Sequence, residues 1–447
     1  MPVELRPYQQ RMLGKLFEKP RFMDYSDPGV GKTAPAIVRA NLLYRSTGEK
    51  AVFLCPTSLI DKNYDECFKF GDYTEEEVMI VRGTPKKRAE QMSNKKAAIF
   101  VMGYITFKEE FDKINEEVSL IIADESHKYW STHESAITQS MYRASRRFRY
   151  FEFMTATPFT SKLDSIYPFF AIACPRAYCT YQNFMRYHAI YNDYGQVVAW
   201  KNHDKIVKVL SQFGAGVTVK QAYPNAAENN VFFQRCELDK HQEEKYKEFE
   251  REALIEMDNE DKFLEATNSG VQTLRCRQIL STPEKVGVVV KKKGKLETLK
   301  EHLIEAKERG EQTIIFFVFK SEGNDAKEVC ESLGIKACVI NGDVPSKKRG
   351  EMDSAFKRGE IDVMIGSVET CAEGFNWENA DRMIFLTTTY QYSDLKQALF
   401  RGNRGGRKTP LKVYILHYGT RVERRVFSLI KRKEGDSGNI MKNLPEC

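Results

Sequence analysis

The stretch RFMDYSDPGVGKTAPAIVRANLLY, residues 21–44, decides the fold class, because it reads as a strand, a Gly-rich turn and a helix in that order. Gly29 and Gly31 allow the backbone to approach a ligand closely, and Pro35 falls in the first helical turn, where a missing N–H costs little. That context aims backbone amides at a phosphate group. In the usual loop pattern, G-x-x-x-x-G-K-[ST], a glycine stands where this chain has Ser26. By itself the stretch leaves three interpretations open: a working nucleotide site, a decayed one, or a chance Gly-Lys-Thr.

The composition is that of a folded protein with more than one domain. A chain of 447 residues is too long for one ordinary core, and its hydrophobic content of 42% excludes the disordered class. The net charge of +7 is compatible with a nucleic-acid partner but does not establish one. The ten cysteines include no C-x-x-C pair, which favours a reducing compartment. The sequence offers no signal peptide and no membrane span, so we predict a cytoplasmic protein without a membrane partner.

The two halves of the chain repeat one pattern, in which short apolar runs alternate with helical stretches. The runs are rich in Val, Ile and Phe and lack in/out alternation, which is typical of strands buried on both faces of a parallel sheet. They lie at 51–55, 97–102, 119–124 and 150–156, and again at 313–319, 336–340, 362–367, 382–387 and 412–416. We therefore predict an α/β fold with two parallel-sheet lobes, 1–170 and 291–447, and an aromatic and mostly helical insertion, 171–290, between them.

A pair of acids and a pair of arginines extend the candidate nucleotide site. Asp124 and Glu125 end a buried strand, where a Mg²⁺-binding carboxylate and a water-orienting carboxylate are needed for γ-phosphate hydrolysis. An Asp-Glu-Ser helix cap is the simpler interpretation, but an apolar strand that runs into adjacent acids favours hydrolysis. In the second lobe, Arg401 and Arg404 can stabilise transition-state charge, bind nucleic acid or form a solvated face.

The loop residues have specific roles if the site works. Lys32 then binds the β- and γ-phosphates, and Thr33 binds Mg²⁺. If the second lobe supplies its arginines, ATP lies between the lobes, and hydrolysis opens and closes the cleft.

The order of motifs along nearly the whole chain resembles that of the superfamily-two helicases and, within them, the Swi/Snf-type DNA translocases. The matching segments of the first lobe are ELRPYQQRML (4–13), DPGVGKT (27–33), FLCPTSLIDKNY (53–64), VMGYITF (101–107), ADESHK (123–128) and MTATPFTSKLDSIYPFF (154–170). Those of the second lobe are TIIFFVF (313–319), INGDVPSKKRGEMDSAF (340–356), IGSVETCAEGFNW (365–377) and QALFRGNRGG (397–406). Between them, NFMRYHAIYNDYGQVVAWKN (183–202) and LRCRQIL (274–280) resemble family blocks. The resemblance implies two RecA-like lobes with ATP and Mg²⁺ as cofactors.

The resemblance also implies roles for single residues, with Gln9 reading the adenine. The catalytic residues it implies are Lys32, Asp124, Glu125, Arg401 and Arg404. Those that bind the nucleotide are Gln9, Gly29, Val30, Gly31, Lys32, Thr33, Gly374 and Gln397, and those that hold the metal are Thr33 and Asp124. The residues that contact the sugar-phosphate backbone are Pro56, Thr57, Tyr104, Ser367 and Thr370.

This chain departs from the family pattern at several positions. Swi/Snf members commonly read D-E-M-G-L-G-K-T, so the position of Ser26 is not glycine in them either. Where the family has a double-arginine block, residues 216–224 read GVTVKQAYP and keep only Lys220 and Pro224. Cys371-Ala372 replaces the usual glycine pair of motif V, and motif VI ends in Gly405-Gly406-Arg407. The departures leave the ATPase machinery in place and put the subfamily in question.

The sequence therefore predicts a DNA-stimulated ATPase that moves along duplex or forked DNA with weak sequence preference. One alternative is a helicase that separates the strands of DNA or RNA. Another is an ATP-gated switch that clamps nucleic acid without processive movement. By family analogy we expect a monomer that works with a separate nuclease or replication protein, in a bacterial or phage-infected cell.

Three further groups of side chains admit a second interpretation. A zinc site in the insertion is disfavoured, because the spacing fits no standard pattern: Cys174, Cys179, His188 and His203. Four aromatic residues could stack bases, but we expect them to pack the insertion against a lobe: Tyr187, Tyr191, Tyr194 and Trp200. The basic cluster KKKGK, residues 291–295, is a solvated linker in preference to a DNA contact.

Overall fold

The computed structural model describes residues 3–159, 163–225, 227, 229–263, 271–371, 374–389, 392–402, 407 and 409–442. The chain divides into two compact units, one formed by the residues up to Pro224 together with the segment from Ser437, and the other running from Asn225 to Asp436. Each unit contains a parallel β-sheet flanked by helices, so the predicted fold class of two RecA-like lobes is confirmed. The stretch 171–290, which the sequence sets apart, contributes its first part to one unit and its second part to the other.

The first lobe has a seven-stranded parallel sheet and a separate two-stranded hairpin. Its strands are β1 (Arg21–Asp24), β2 (Lys50–Cys55), β3 (Val78–Val81), β4 (Ile99–Gly103), β5 (Val118–Asp124), β6 (Tyr150–Met154), β7 (Ala189–Tyr191), β8 (Val197–Trp200) and β9 (Gly214–Ala215). Its helices are α1 (Pro7–Glu18), α2 (Thr33–Thr47), α3 (Ile60–Phe70), α4 (Pro85–Met92), α5 (Tyr104–Glu110), α6 (Ala136–Ala144), α7 (Tyr167–Ala173), α8 (Tyr181–His188), α9 (His203–Phe213) and α10 (Val219–Ala222). The sheet order is β3-β4-β2-β5-β6-β1-β9, and β7 pairs with β8.

The second lobe has a six-stranded parallel sheet in the order β10-β15-β14-β11-β13-β12. Its strands are β10 (Asn230–Arg235), β11 (Thr313–Phe317), β12 (Ala337–Ile340), β13 (Val363–Ser367), β14 (Arg382–Phe385) and β15 (Lys412–His417). The helices of this part of the chain are α11 (Lys240–Phe263), α12 (Val271–Ser281), α13 (Gly294–Arg309), α14 (Lys320–Ser332), α15 (Ser346–Lys357), α16 (Val368–Cys371), α17 (Tyr392–Gly402) and α18 (Arg421–Lys442).

The central strands of both sheets are buried along their whole length, as the continuous apolar runs predict. Every residue of β2, β4 and β11 is buried, because helices cover both faces of the sheet. Two of the edge strands, β9 and β10, were not visible in the sequence. β9 has only two residues, and β10 exposes most of its side chains, so neither shows a buried-strand pattern. Among the described helices, none is both long enough and apolar enough to cross a membrane.

A buried ion pair joins the helix after the Gly-rich turn to the middle of the first sheet. Arg39 of α2 and Glu152 of β6 lie 3.4 Å apart, with side chains 1% and 0% exposed. Burial raises the pKa of Glu152 to about 7, although the Arg39 guanidinium opposes the shift. Removing two charges from water costs about as much as their attraction returns, so the pair adds little net stability, whereas loss of one partner leaves a buried charge uncompensated.

We expect Arg39→Met to destabilise the first lobe by about 3–5 kcal/mol, because it leaves the Glu152 carboxylate buried without its partner. The double change Arg39→Met/Glu152→Leu removes both charges, and its free energy of unfolding should return to within about 1 kcal/mol of the native value. Urea denaturation of the three proteins measures the difference. A double variant as unstable as the single one contradicts this account of the pair.

Candidate nucleotide site

The Gly-rich turn lies at the N-terminus of helix α2. Gly29 and Gly31 both have φ of 82°, a conformation that side chains rarely adopt. The ammonium group of Lys32 donates to the carbonyl of Ser26 at 2.8 Å and to that of Asp27 at 3.2 Å, so this side chain lies across the loop. Helix α2 begins at Thr33, and the positive end of a helix dipole favours an anion. The loop therefore fits the phosphates of a nucleotide.

Helix α1 holds this loop from one side. The hydroxyl of Tyr8 donates to the carbonyl of Val30 at 3.0 Å, and the side-chain amide of Gln9 donates to that of Gly31 at 3.1 Å. The other end of the Gln9 amide accepts the backbone N–H of Arg6 at 3.0 Å. Burial raises the pKa of Tyr8 to about 12, so its hydroxyl stays a donor at neutral pH. Gln9, which the sequence assigned to the adenine, supports the loop itself, and Tyr8 is a supporting residue that the motif did not identify.

The acidic pair lies at the end of β5 in a strained turn. Glu125 adopts a left-handed conformation, with φ of 51° and ψ of 40°, which costs a non-glycine residue roughly 1 kcal/mol. Its backbone N–H donates to the Asp124 carboxylate at 3.1 Å. The hydroxyl of Tyr104 donates to the Asp124 carbonyl at 2.6 Å, and its ring stacks on Tyr129 at 4.1 Å. These contacts fix the direction in which the two carboxylates leave the strand.

A histidine connects the acidic pair to the neighbouring strand. Nδ1 of His127 lies 2.8 Å from the Thr155 hydroxyl and 3.5 Å from the Glu125 carboxylate. The Thr155 hydroxyl also accepts the backbone N–H of Thr157 at 3.0 Å. The D-E-x-H pattern names His127, but the threonine that it contacts follows β6 and is brought near only by the fold.

The sheet brings the loop and the acids to one edge. Asp24, which ends β1, and Asp124, which ends β5, are both paired in register with Met154 of β6. Two strand spacings separate them, so the bases of the loop and of the acidic turn lie about 10 Å apart. Thr33 and Asp124 are the residues that would hold Mg²⁺, a cation that combines one or two protein ligands with phosphate oxygens and water. In the part of the chain that the structure describes, no group of three or more His, Cys, Asp and Glu side chains is arranged to hold a metal ion.

The candidate residues of the second lobe cluster near α17. Gln397 is completely buried, and Arg401 is 5% exposed. The guanidinium of Arg401 donates to the carbonyl of Phe375 at 3.0 Å, next to Gly374 with its φ of 83°. Arg401 is therefore anchored inside its own lobe in this state. Helix α17 ends before Arg404, which lies outside the described residues.

The predicted nucleic-acid contacts differ in their accessibility. Thr57 is exposed, whereas Pro56 beside it is buried. Ser367 and Thr370 are half-buried at the carboxyl end of β13, where the Ser367 hydroxyl accepts the backbone N–H of Thr370 at 3.2 Å. Tyr104 is 2% exposed and donates to Asp124, so its side chain cannot contact a DNA backbone in this structure. It positions the acidic turn instead.

The candidate zinc-binding and base-stacking residues described in the insertion are either bonded or packed within the fold, or exposed to solvent. His188 is buried, and its two ring nitrogens lie 3.0 Å from the Lys201 carbonyl and 2.9 Å from the Tyr178 hydroxyl. This histidine is a structural residue of the fold. The predicted packing of the aromatic residues is found for Trp200, which packs on the core of the first lobe. The other three are exposed by 48%, 46% and 88%: Tyr187, Tyr191 and Tyr194.

Two protein-family models match this chain. The SNF2-related domain family matches residues 24–285, and the helicase conserved C-terminal domain matches residues 294–406. Human SWI/SNF-related matrix-associated actin-dependent regulator of chromatin subfamily A member 1 is 28% identical over 140 residues, which are 31% of this chain and 13% of that protein. An uncharacterized ATP-dependent helicase of Mycoplasma pneumoniae is 20% identical over 91% of this chain and 39% of its own length.

The fold itself has a close counterpart among solved structures. The crystal structure of the Pyrococcus furiosus Hef helicase domain superposes with a TM-score of 0.55, at 17% identity, over 95% of this chain and 98% of that domain. This similarity concerns the fold alone. The chain spans 13% and 39% of the length of these two curated relatives.

We expect Gly31→Ala to weaken nucleotide binding by about tenfold or more, which corresponds to a loss of about 1.4 kcal/mol in binding free energy. A Cβ at this position would lie 2.8 Å from the Gln9 side chain and displace the loop support. Gly48→Ala is the matched control, because Gly48 also has a positive φ, of 76°, and ends the same helix with nothing within 4 Å. Titration with a fluorescent ATP analogue compares the two. Equal affinities in both variants contradict the assignment of this loop.

Proposed function

Because the SNF2-related domain family spans more than half of the 447 residues, the chain belongs to the SNF2-related branch of the superfamily-two helicases, and we propose that it is a DNA-stimulated ATPase that moves along duplex DNA. The observation that carries the proposal concerns the phosphate loop, residues 25–32, which joins β1 to α2. This loop and the Asp124–Glu125 pair both lie at the carboxyl ends of strands in the first sheet. Loops at the carboxyl ends of parallel strands are the usual location of nucleotide sites in such folds.

The first lobe binds the nucleotide through its backbone. In the proposed mechanism, the loop amides and Lys32 bind the phosphates, and Thr33 and Asp124 hold the cation. Mg²⁺, when bound, neutralises charge on the β- and γ-phosphate oxygens. Lys32 already lies across the loop, so binding exchanges its two carbonyl contacts for phosphate oxygens without a large movement.

Glu125 is the residue that we assign to the attacking water. Its carboxylate orients the water and accepts a proton as the water oxygen bonds to the γ-phosphorus, while the bond from that phosphorus to the β,γ-bridging oxygen breaks and ADP leaves. The left-handed turn, held by the Asp124 carboxylate, sets the direction of the Glu125 side chain. His127 lies between Glu125 and Thr155, which supports a role in keeping that carboxylate in place.

The second lobe supplies positive charge in this proposal. Arg401 and Arg404 stabilise the charge that develops on the transferred phosphoryl group, as arginine fingers do in related chemistry. Arg401 must then leave the carbonyl of Phe375, to which it donates in this structure. Movement of the second lobe on hydrolysis converts the reaction into displacement along DNA.

We place the DNA on Thr57, Ser367 and Thr370, which lie at strand ends and have accessible side chains. Contacts of this type reach the sugar-phosphate backbone, so sequence preference is weak and binding weakens steeply with salt. Replication or remodelling of forks in a bacterial or phage-infected cell is the setting that we predict for this activity. That prediction includes a separate partner protein, either a nuclease or a replication protein.

ATP hydrolysis should rise when duplex DNA is added to the purified chain. We expect Glu125→Gln to lower kcat by about 100-fold or more while nucleotide binding persists, because a general base contributes about 10²–10⁴. Lys32→Ala should abolish turnover by weakening binding. Lys86→Ala, at an exposed position on α4, is the control and should retain native rates. If the native protein hydrolyses no ATP with single-stranded, duplex or forked DNA or with RNA, the proposal is wrong.

A translocase, a helicase and a switch differ in their response to DNA length and structure. We expect the ATPase rate to increase with duplex length and the motor to displace a triplex-forming strand, because both require processive movement. Separation of a forked duplex without triplex displacement indicates a helicase. A rate independent of length, with no strand displaced, indicates an ATP-gated switch and contradicts movement along DNA.

A further inference from the structure

Residues 214–223, which we call the strap, run alongside the phosphate loop in the first lobe. The strap begins as β9, paired in parallel with β1. Its contacts continue past the end of the strand, where the backbone N–H of Tyr25 donates to the Ala215 carbonyl at 2.9 Å and that of Asp27 to the Val217 carbonyl at 3.0 Å. The loop is thus bonded to the strap along its first residues.

The strap also donates two backbone hydrogen bonds to side chains of the loop. The Ser26 hydroxyl accepts the backbone N–H of Val217 at 2.9 Å. The Asp27 carboxylate accepts the backbone N–H of Val219 at 3.0 Å, at the start of the short helix α10 that Thr218 caps. Ser26 is 2% exposed, so its hydroxyl is committed to this contact. A glycine at this position would lack the hydroxyl altogether.

The strap approaches the loop as closely as the backbone permits. A Cβ on Gly216 would lie 2.3 Å from the Tyr25 ring, and one on Gly214 would lie 2.8 Å from the Met23 carbonyl. Contacts below 3.0 Å do not occur for real Cβ atoms, so only glycine fits at these two positions. The close contact of the strap therefore requires glycine at positions 214 and 216.

Apolar packing and aromatic contacts close the arrangement. Val217 of the strap packs in one buried cluster with Val30 of the loop and with residues of α1 and β1. At the far end of the strap, the Tyr223 hydroxyl lies 3.4 Å from that of Tyr8, and the Arg6 guanidinium lies 5.0 Å from the Tyr223 ring centre. The phosphate loop is therefore held between α1 and the strap.

The strap also leads into the second unit. The first stretch of the first compact unit ends at Pro224, one residue after the strap, and the second unit begins at Asn225; the chain returns to the first unit at Ser437. Lys32 donates to the carbonyls of Ser26 and Asp27, the same two residues whose side chains bind the strap. Nucleotide that binds Lys32 shares this ammonium group, which has three N–H donors, with those carbonyls, so it acts on the same side chain that contacts the residues holding the strap.

We propose that Ser26 and Asp27 are positioning residues that couple the nucleotide-bound state of the phosphate loop to the strap, and through it to the chain segment that enters the second lobe. The inference deepens the proposed ATPase function and rests on it. Ser26, which departs from the usual loop glycine, is then a functional part of the loop. The departure gives the loop an acceptor for the strap that glycine cannot supply.

The test restores the usual pattern with Ser26→Gly. We expect this variant to bind a fluorescent ATP analogue with an affinity within about threefold of the native value, since the phosphate contacts remain. Its DNA-stimulated kcat should fall by about 10- to 100-fold, because a small misplacement of a coupled element costs that much. Ser26→Thr, which keeps the hydroxyl, should recover most of the rate. Gly216→Ala should reproduce the loss by pushing the strap from the loop.

Ser135→Gly is the matched control, because the Ser135 hydroxyl accepts the Thr138 N–H at 3.2 Å at the start of α6. It removes the same kind of contact elsewhere in the lobe, and it should keep the native kcat. Thermal unfolding of every variant checks that each protein is folded.

Hydrogen exchange tests the coupling without DNA or turnover. In the native protein we expect nucleotide with Mg²⁺ to change the exchange rate of peptides covering 214–223 by about fivefold, and Ser26→Gly to abolish that response. An unchanged exchange rate in the native protein, or native kcat in Ser26→Gly, overturns the coupling. If the native protein exchanges as expected but hydrolyses no ATP, the proposed function fails and the coupling stands.

Discussion

The tight enclosure of the phosphate loop is the constraint on which the site in the first lobe depends. The loop must expose its amides to a ligand, so its other contacts come from the neighbouring elements. Helix α1 supplies Tyr8 and Gln9, which donate to carbonyls of the loop, and the strap binds Ser26 and Asp27. A phosphate site made of backbone amides acts only when the backbone is held in advance, because reorganisation at the moment of binding would cost affinity.

Strain and burial are concentrated around this enclosure. Glu125 has a left-handed backbone, and an uncommon backbone conformation persists only where its surroundings fix it. Tyr104 and His127 provide those surroundings, one through the Asp124 carbonyl and the other through Thr155. Deeper in the lobe, the Arg39–Glu152 pair ties the helix that carries Thr33 to the sheet that carries the acids. The catalytic side chains are therefore few, but the groups that orient them extend through several elements.

The sequence was most informative where a local pattern and a chemical requirement coincide. The apolar runs predicted the buried strands, since strands covered on both faces need continuous apolar residues. Phosphate and Mg²⁺ chemistry restricts the residue types that can bind these groups. This restriction pointed to Gly29, Gly31, Lys32 and the two acids after β5. The prediction for Tyr104 did not fit the structure, because a motif position does not reveal whether a ring points outward or packs on Tyr129.

By itself, then, the sequence determined the two-lobe α/β architecture and the family, and it proposed the residues for phosphate, because these depend on local periodicity and on short motifs. Only the tertiary structure decided which residues support them. Tyr8, Thr155 and Val217 are distant in sequence from the groups that they contact, and the motifs that contain Tyr8 and Thr155 do not reveal those contacts. The role of Ser26 illustrates the division. The sequence marks it as a missing glycine, and the fold makes it an acceptor by bringing a strap from nearly two hundred residues away to within hydrogen-bonding distance.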